Sequence, residues 1–521
     1  MEDRREIEWQ FEVPDPGRLA AWLEGASGEE RDLLPLGSRK LTDLYLDTAD
    51  WRFYRAGYAL RLRSTGGRAE ATMKSLAARG GDGLRDRREI SEPLPRPDAG
   101  LLVGGSGPVG GRVQALAGRR RLAVLFRVET ERTSYAVLLG GGRAGTVELD
   151  ASKISADTGT PTFLRRVEVE AEPGVPAREL EGFVRKLREA GGLVPAGLSK
   201  YEAGLRAAGL SPSGPPGLGP EETGPSPTLG ELAFAVMRGQ ARRFLTHEPG
   251  ARLGDDPEEL HDMRVACRRL RTALLVFREA LSPQAGHLRE ELGWIGGVLG
   301  EVRDLDVLLW RGDWRAAGAR DREPLRELRR ALEGRREEAR RRMLRALDST
   351  RYQRLVEELV GFLRQGPSRR EPGERRPARE AAPALVIKER RRVMRLGDRL
   401  RPDSPPEDYH RLRRRVRRLR YALEFFSGLY GKEAEEYIAE LKGLQDLLGE
   451  HQDAAVAAGV LRNLGREGSG VSAEAAAFVR GFEERADRLR GLFPGRYAGI
   501  KGHGWKRLRA EMRRRSRQAG G

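Results

Sequence analysis

Two runs of this chain superimpose without a gap, and each opens on a histidine followed by arginines. The first reads HDMRVACRRLRTALLVF (261–277) and the second HRLRRRVRRLRYALEFF (410–426). The offset, 410 − 261 = 149 residues, also carries Leu299, Gly300, Glu301 and Asp304 onto Leu448, Gly449, Glu450 and Asp453. A helix advances about 100° per residue, so His261, Arg264, Arg268 and Arg271 share one stripe. Ala266, Leu270, Ala273, Leu274 and Phe277 fall on the opposite side, which faces a core. The second copy repeats both: His410, Arg413, Arg417 and Arg420 on the stripe, and Leu412, Leu419, Ala422, Leu423 and Phe426 behind it. Few acids are interleaved to relieve repulsion between the arginines, so an anion is expected on each stripe. Guanidinium suits phosphate, because its planar fork donates two hydrogen bonds and stays charged. The histidines add a donor when protonated. Arg269, Arg414 and Arg418 flank the stripes. Asp304 and Asp453 either orient these arginines or serve as surface acids.

A second set of chemical residues lies near the N-terminus. Residues 6–13 alternate polar and apolar without exception, so Glu6, Glu8, Gln10 and Glu12 share one face of a strand. Similar alternation at 60–63, 147–150 and 166–170 adds Glu148, Asp150, Glu168 and Glu170. Arg61, Arg63, Lys74, Arg88, Arg127, Arg132 and Lys200 bring opposite charge in strand-like contexts. Such a face is ordinarily the wet side of a sheet. If the sheet closes with this face inward, the lumen holds carboxylates for a divalent cation and bases for phosphate. Hard oxygen ligands suit Mg²⁺ or Mn²⁺. The expected metal ligands are Glu6, Glu8, Glu148, Asp150, Glu168 and Glu170. Glu6, Glu8, Lys74 and Lys200 are expected in catalysis, and Arg61, Arg63, Lys74, Arg127, Arg132 and Lys200 in substrate binding.

These residues sit in two kinds of chain. Up to about residue 207 the patterns are mostly period-2 strands, with a helix at 176–190 that starts near Pro176 and ends at Gly191-Gly192. Residues 208–227 are rich in Pro, Gly and Ser and read as a linker. From 228 to 521 long amphipathic patterns such as 322–346 and 434–463 point to helical bundles, in two repeats of about 228–365 and 384–510. A charged break at 366–383 separates the repeats.

Composition limits the partners. The 521 residues carry a net charge of +18, which attracts nucleic acid, anionic lipid or polyphosphate without choosing among them. The one cysteine, Cys267, excludes an intrachain disulfide and reads as a small core residue. No apolar stretch approaches the roughly 20 residues needed to span a bilayer. A soluble, cytoplasmic protein of unknown oligomeric state is expected.

At this point the motifs match known families. The two H-x-x-R-x-x-x-R-R-L-R helices with LGxxxD resemble the CHAD domain, over about 228–510. That resemblance implies duplicated four-helix bundles, related by a pseudo-twofold, whose basic helices face a shared groove and bind inorganic polyphosphate. The contacts would come from His261, Arg264, Arg268, Arg271, His410, Arg413, Arg417 and Arg420, and polyphosphate granules would be one place to find the protein. The Glu-x-Glu strand, LYLDTADWRFYRAGYALRLR (44–63), VELD (147–150), VEVE (167–170) and SKYEAGL (199–205) resemble the CYTH family of triphosphate tunnel metalloenzymes, over about 1–207. This implies an antiparallel β tunnel for triphosphate and a divalent metal, and hence a multidomain α+β protein. The family's first motif is Glu-x-Glu-x-Lys, and this chain has Gln10 in place of the Lys. Two further readings stay open: a non-enzymatic polyphosphate binder with a degenerate tunnel, which Gln10 favours, and a nucleic-acid binder. Aromatics at 6% of the chain, not interleaved with the arginines, speak against single-strand recognition.

Overall fold

The computed structural model describes residues 2–27, 32–77, 80–157, 160–311, 323–368, 370–467 and 473–518. It divides into two units, Met1–Gly214 and Pro215–Gly521.

In the first unit, eight long strands follow the period-2 segments: β1 (Glu2–Glu12), β2 (Leu33–Thr48), β3 (Tyr58–Thr65), β4 (Arg68–Ser75), β5 (Leu84–Leu94), β6 (Leu122–Leu139), β7 (Gly142–Ser155) and β8 (Thr162–Ala171). All pair antiparallel, in the order β5-β4-β3-β2-β6-β7-β8-β1, and β1 also pairs β5, with Glu6 opposite Arg87. That last pairing closes the barrel. A short strand, β9 (Val194–Pro195), adds to the end of β1.

Closure puts the charged face inside. The apolar residues between the acids, Trp9, Phe11, Val147, Val167 and Val169, point outward and are buried beneath helices α1 (Pro16–Ala26) and α5 (Ala177–Gly191). α5 buries Leu180, Phe183, Val184 and Leu187, one stripe at helical spacing, and Gly192 takes the left-handed φ of +60° that ends it. On the other flank α2 (Arg52–Arg55) packs on β2 and β3. The short α3 (Gly100–Val103) leads into α4 (Pro108–Ala117), which lies against β4 and β5. Asp47 accepts from the backbone N–H groups of Thr48, Phe53 and Tyr54, and Arg52 donates to the carbonyls of Leu116 and Ala117 at the end of α4. The DTADWRF part of the motif at 44–63 is therefore a clip that holds helices to the wall.

Helix α6 (Lys200–Ala207) caps one end of the barrel, where Tyr201 packs against Tyr45 and Phe126. Its first turn is fixed by reciprocal hydrogen bonds between Ser199 and Glu202. Gly204 lies so close to Phe126 that a Cβ would overlap the ring.

The second unit contains ten helices among the described residues: α7 (Leu229–Leu253), α8 (Pro257–Val276), α9 (Gln284–Arg311), α10 (Glu323–Leu347), α11 (Thr350–Gln365), α12 (Ala378–Gly397), α13 (Pro406–Tyr430), α14 (Lys432–Glu467), α15 (Ala473–Gly499) and α16 (His503–Gln518). Helices α7 and α12 begin 149 residues apart, as do α8 and α13, so the repeat seen in the motifs governs the fold. Each copy adds a fifth helix to the four that the resemblance implied. In the first copy it is α11, whose Tyr352, Leu355, Leu359 and Phe362 form a buried stripe that only packing on neighbours can cover. One core runs through both copies, with Phe277 against Phe425 and Phe426. No helix among the described residues is long and apolar enough to cross a membrane.

The two Pro/Gly-rich segments are more ordered than their composition predicts. Leu218 is fully buried in the helical core, and Arg238 and Arg364 donate to the carbonyls of Pro220 and Gly217. The second break ends earlier than 383, because α12 already starts at Ala378. Pro383 inside it removes the donor that Arg379 O would use, and Ser516 Oγ donates to that carbonyl instead. The two segments also pair with each other, Leu229 N donating to Arg376 O and Ala378 N to Pro227 O.

Gly204→Ala is expected to destabilise the barrel by about 1–3 kcal/mol through overpacking on Phe126, read as a lower thermal midpoint for that unit in a calorimetric scan.

Candidate functional sites

The barrel encloses a cavity of about 230 Å³ lined by eight basic and seven acidic side chains. From β1 come Arg4, Glu6, Glu8 and Gln10, from β8 Glu168 and Glu170, from β7 Glu148, and from β6 Arg132. Arg61 and Arg63 of β3, Lys74 of β4 and Lys200 of α6 complete the expected set. A second cavity of about 330 Å³ shares Arg4, Arg39, Glu148 and Glu170 with the first and continues past Ser38, Ser134 and Arg143.

Three expectations need correction. Arg127 is half exposed beside Glu129, outside the lumen. It lies five residues from Arg132 on an uninterrupted stretch of β6, and an odd separation puts the two on opposite faces. Arg88 likewise donates outward to Tyr58 Oη, and its neighbour Arg87 is the one that enters. Asp150 does not line the cavity; it lies beneath Arg132 and Lys200, holding both. The wall also includes Arg4, Arg39, Glu70, Arg87 and Glu89, which the sequence reading did not single out. The alternation Arg87-x-Glu89 was there to be seen, but two adjacent arginines hide which face turns inward until the pairing with β1 is known.

Acids and bases in the lumen are joined strand to strand. Glu6 accepts from Lys74 at 2.6 Å and from Arg87 at 3.3 Å, and Arg87 also holds Glu8. Glu168 is held by Arg132 and Lys200, each at 2.9 Å, and Glu148 by Arg39 and Arg132. Glu170 meets Arg4 at 3.1 Å, and Asp43 holds Arg63. Among the described residues Arg61 donates only to Thr72 and stands 3.9 Å from Asp43, so it is the least committed base. Gln10 Nε2 donates to Glu8 at 2.8 Å, while its Oε1 is buried with no partner among the described residues.

Titration follows from this network. Burial alone would favour neutral Lys74 and neutral Glu168, but Glu6 and Glu89 hold the ammonium above its usual range, and Lys200 and Arg132 hold the carboxylate well below its own. Burial and the nearby Glu6 outweigh the bases at two acids: Glu8 is raised, and Glu170 is pushed up to about 7.

The donors fit Mg²⁺ or Mn²⁺ in kind, being carboxylate and amide oxygens in one cavity, including the orphaned Gln10 Oε1. Their arrangement offers no ready chelate. Among the described residues no three Asp, Glu, His or Cys side chains converge on one point.

The basic stripes form the second site. Helices α8 and α13 pack against each other, and Arg264 and Arg268 raise the local potential at Arg413 and Arg417. Arg264 lies over Gly300 and donates to Asp304 at 2.9 Å; Arg413 lies over Gly449 in the same way, within the field of Asp453. The LGxxxD motif is thus a seat for one arginine of each stripe: the glycine gives it room, and the aspartate four residues on balances it. Of the two roles left open for Asp304, the structure selects the orienting one. Arg268 donates to Tyr421 Oη at 3.3 Å, Arg269 pairs with Glu424, and Arg420 bonds Glu424 and Gln445. Arg271 stands against Gly293. Arg417 has no acid partner among the described residues; burial first and then Arg268 push it down to about 9. Burial also lowers His261, helped by Arg303, and His410 against a bond from Gln452. Cys267 is buried behind the stripe, its thiol pushed up to about 12 by burial.

Comparison with known proteins agrees with both halves. The family model of the CYTH domain matches residues 4–204, and that of the CHAD domain matches 235–462. The chain belongs to these families: it is a CYTH domain followed by a CHAD domain. Uncharacterized proteins from two strains of Mycobacterium tuberculosis, CDC 1551/Oshkosh and H37Rv, are 30% identical over 278 residues, covering 52% of this chain and 52% of each relative. The chain therefore spans about half the length of the curated relatives it matches. Among solved structures, the CHAD domain of the plant Ricinus communis is 27% identical, covering 56% of this chain and 93% of that one, with a TM-score of 0.42. A Hippeastrum protein described as an adenylyl cyclase with a dominant triphosphatase activity is 19% identical over 40% of this chain and 97% of its own, with a TM-score of 0.30.

Two outcomes are expected. Glu170 binds its proton more tightly folded than unfolded, so between the ordinary carboxyl range and about pH 7 stability falls as pH rises. In melting curves from pH 5 to 8, Glu170→Gln flattens that decline relative to wild type. Arg417→Met removes a partly buried charge with no acid partner among the described residues and raises the thermal midpoint by about 2 °C, while reducing the stabilisation given by added phosphate.

Proposed function

We propose that the tunnel is a metal-dependent triphosphatase and that the basic helices bind inorganic polyphosphate. The observation that carries the first half is the inner wall of the closed barrel, where carboxylates and bases alternate around one cavity with the apolar residues turned outward. Lys74, Arg87 and Arg61 are placed to neutralise the non-bridging oxygens of a linear triphosphate, with Arg132 and Lys200 further along the wall. Glu170, pushed up to about 7, is the group able to take a proton from an attacking water near neutral pH. Bound Mg²⁺ or Mn²⁺ would polarise the phosphoryl oxygens and offset charge that develops as the phosphoanhydride bond breaks. Water adds to a terminal phosphorus, the bridging oxygen leaves on pyrophosphate, and orthophosphate is released.

Arg417, with no acid partner among the described residues, and the two histidines whose charged form burial disfavours support the second half, because a polyanion is the partner that relieves such a cluster. A cytoplasmic location near polyphosphate granules follows from this reading. Gln10, neutral where the family motif carries Lys, favours an alternative in which the tunnel binds its ligand without turning it over.

Phosphate release from inorganic triphosphate with Mg²⁺ or Mn²⁺ separates the two. Wild type is expected to exceed a Glu6→Gln, Glu8→Gln double variant by about a hundredfold or more; equal rates would leave only the binding reading. For the helices, long-chain polyphosphate is expected to displace DNA at equal phosphate concentration, and the reverse order would point to nucleic acid.

A further inference from the structure

We infer that the tunnel takes up its divalent cation and its triphosphate as a pair, by an exchange of salt-bridge partners. The inference rests on the triphosphatase reading above. In the resting lumen Glu6 is held by Lys74 and Arg87, and Glu168 by Lys200 and Arg132. All four bases and both acids are largely buried, so none has bulk water as a substitute partner. A cation that took Glu6 and Glu8 alone would leave Arg87 unmatched and Lys74 with Glu89 alone, away from bulk solvent. A phosphate chain that drew off those bases alone would strand the carboxylates. Leaving one member of a buried pair unmatched is strongly unfavourable.

Arriving together, the two ligands cancel that loss. Each base that gives up a carboxylate gains a phosphoryl oxygen, and the carboxylates so released share the cation. The near balance of eight bases and seven acids on the wall is what such an exchange requires. A preformed metal site would instead group its carboxylates away from bases, and among the described residues no such group exists. Gln10 supplies the starting point. It lines the cavity, and its buried Oε1 has no partner among the described residues, so one hard oxygen is free before any salt bridge opens. A lysine there would be one more base on Glu8.

Coupling of this kind is reciprocal: each ligand tightens the other by the same factor. The test uses the full chain, Mn²⁺ read by electron paramagnetic resonance, and imidotriphosphate as a non-hydrolysable probe, with the probe's own chelation of Mn²⁺ measured separately and subtracted. Wild type is expected to bind Mn²⁺ weakly alone and about tenfold or more tightly with the probe present, the same factor appearing when the probe is titrated with and without Mn²⁺. Arg87→Leu and, as a second variant, Lys74→Met should bind Mn²⁺ alone more tightly than wild type, because each removes one of the two bases on Glu6, while binding the probe more weakly. Equal Mn²⁺ affinity with and without the probe would overturn the exchange while leaving the triphosphatase reading intact. Failure of wild type to bind the probe under any condition would overturn that reading, and the exchange with it.

Discussion

The charged inner wall is the constraint on which the first unit depends. Burying carboxylates and guanidinium groups is expensive unless each is matched, and removing one partner of such a pair typically costs about 3–5 kcal/mol. The barrel meets this by alternating signs across strands, so that Arg87 bridges two acids of β1 and Arg132 ties together Glu148, Asp150 and Glu168. Stability then has to come from outside the lumen, and it does: the apolar half of each alternating strand is buried beneath α1 and α5. The cavity is stable because its charges are nearly balanced, and it is suited to bind because that balance is made of separable charges.

The helical unit solves the opposite problem. Its stripes carry mostly positive charge, and partial burial of Arg417, with no acid partner among the described residues, lowers its affinity for its own proton. The duplication makes the arrangement economical: one seat, Gly300 with Asp304, is built again as Gly449 with Asp453, and one continuous core holds both copies in register. Where the copies differ, the second carries Tyr421 at the position of Thr272, and its phenol accepts from Arg268 of the first. Such a surface trades stability for attraction toward a polyanion.

Much of this was legible in the residues. The period-2 acids of β1, β7 and β8 identified their shared face, and the 149-residue offset identified both basic helices and the length of the repeat. What could not be read was anything decided by a partner strand. Alternation says that Glu6 and Glu8 share a face but not that the face is inside; that depends on β1 meeting β5. The adjacent Arg87 and Arg88 are equivalent until that pairing chooses between them. Arg127 was a different case, since its odd separation from Arg132 already forbade a common lumen. The Pro/Gly segments misled because composition measures the freedom of an isolated chain, whereas Leu218 and the pairing of Leu229 with Arg376 are long-range contacts.

The central claim is that phosphate and divalent cation bind inside the barrel, on the alternating wall. Anomalous scattering from crystals of the full chain grown with Mn²⁺ and imidotriphosphate tests it most directly. The account predicts a manganese peak beside the carboxylates of β1, with phosphate density against Lys74 and Arg87. A triphosphate found only on the helical unit, with the lumen salt bridges still closed, would contradict it.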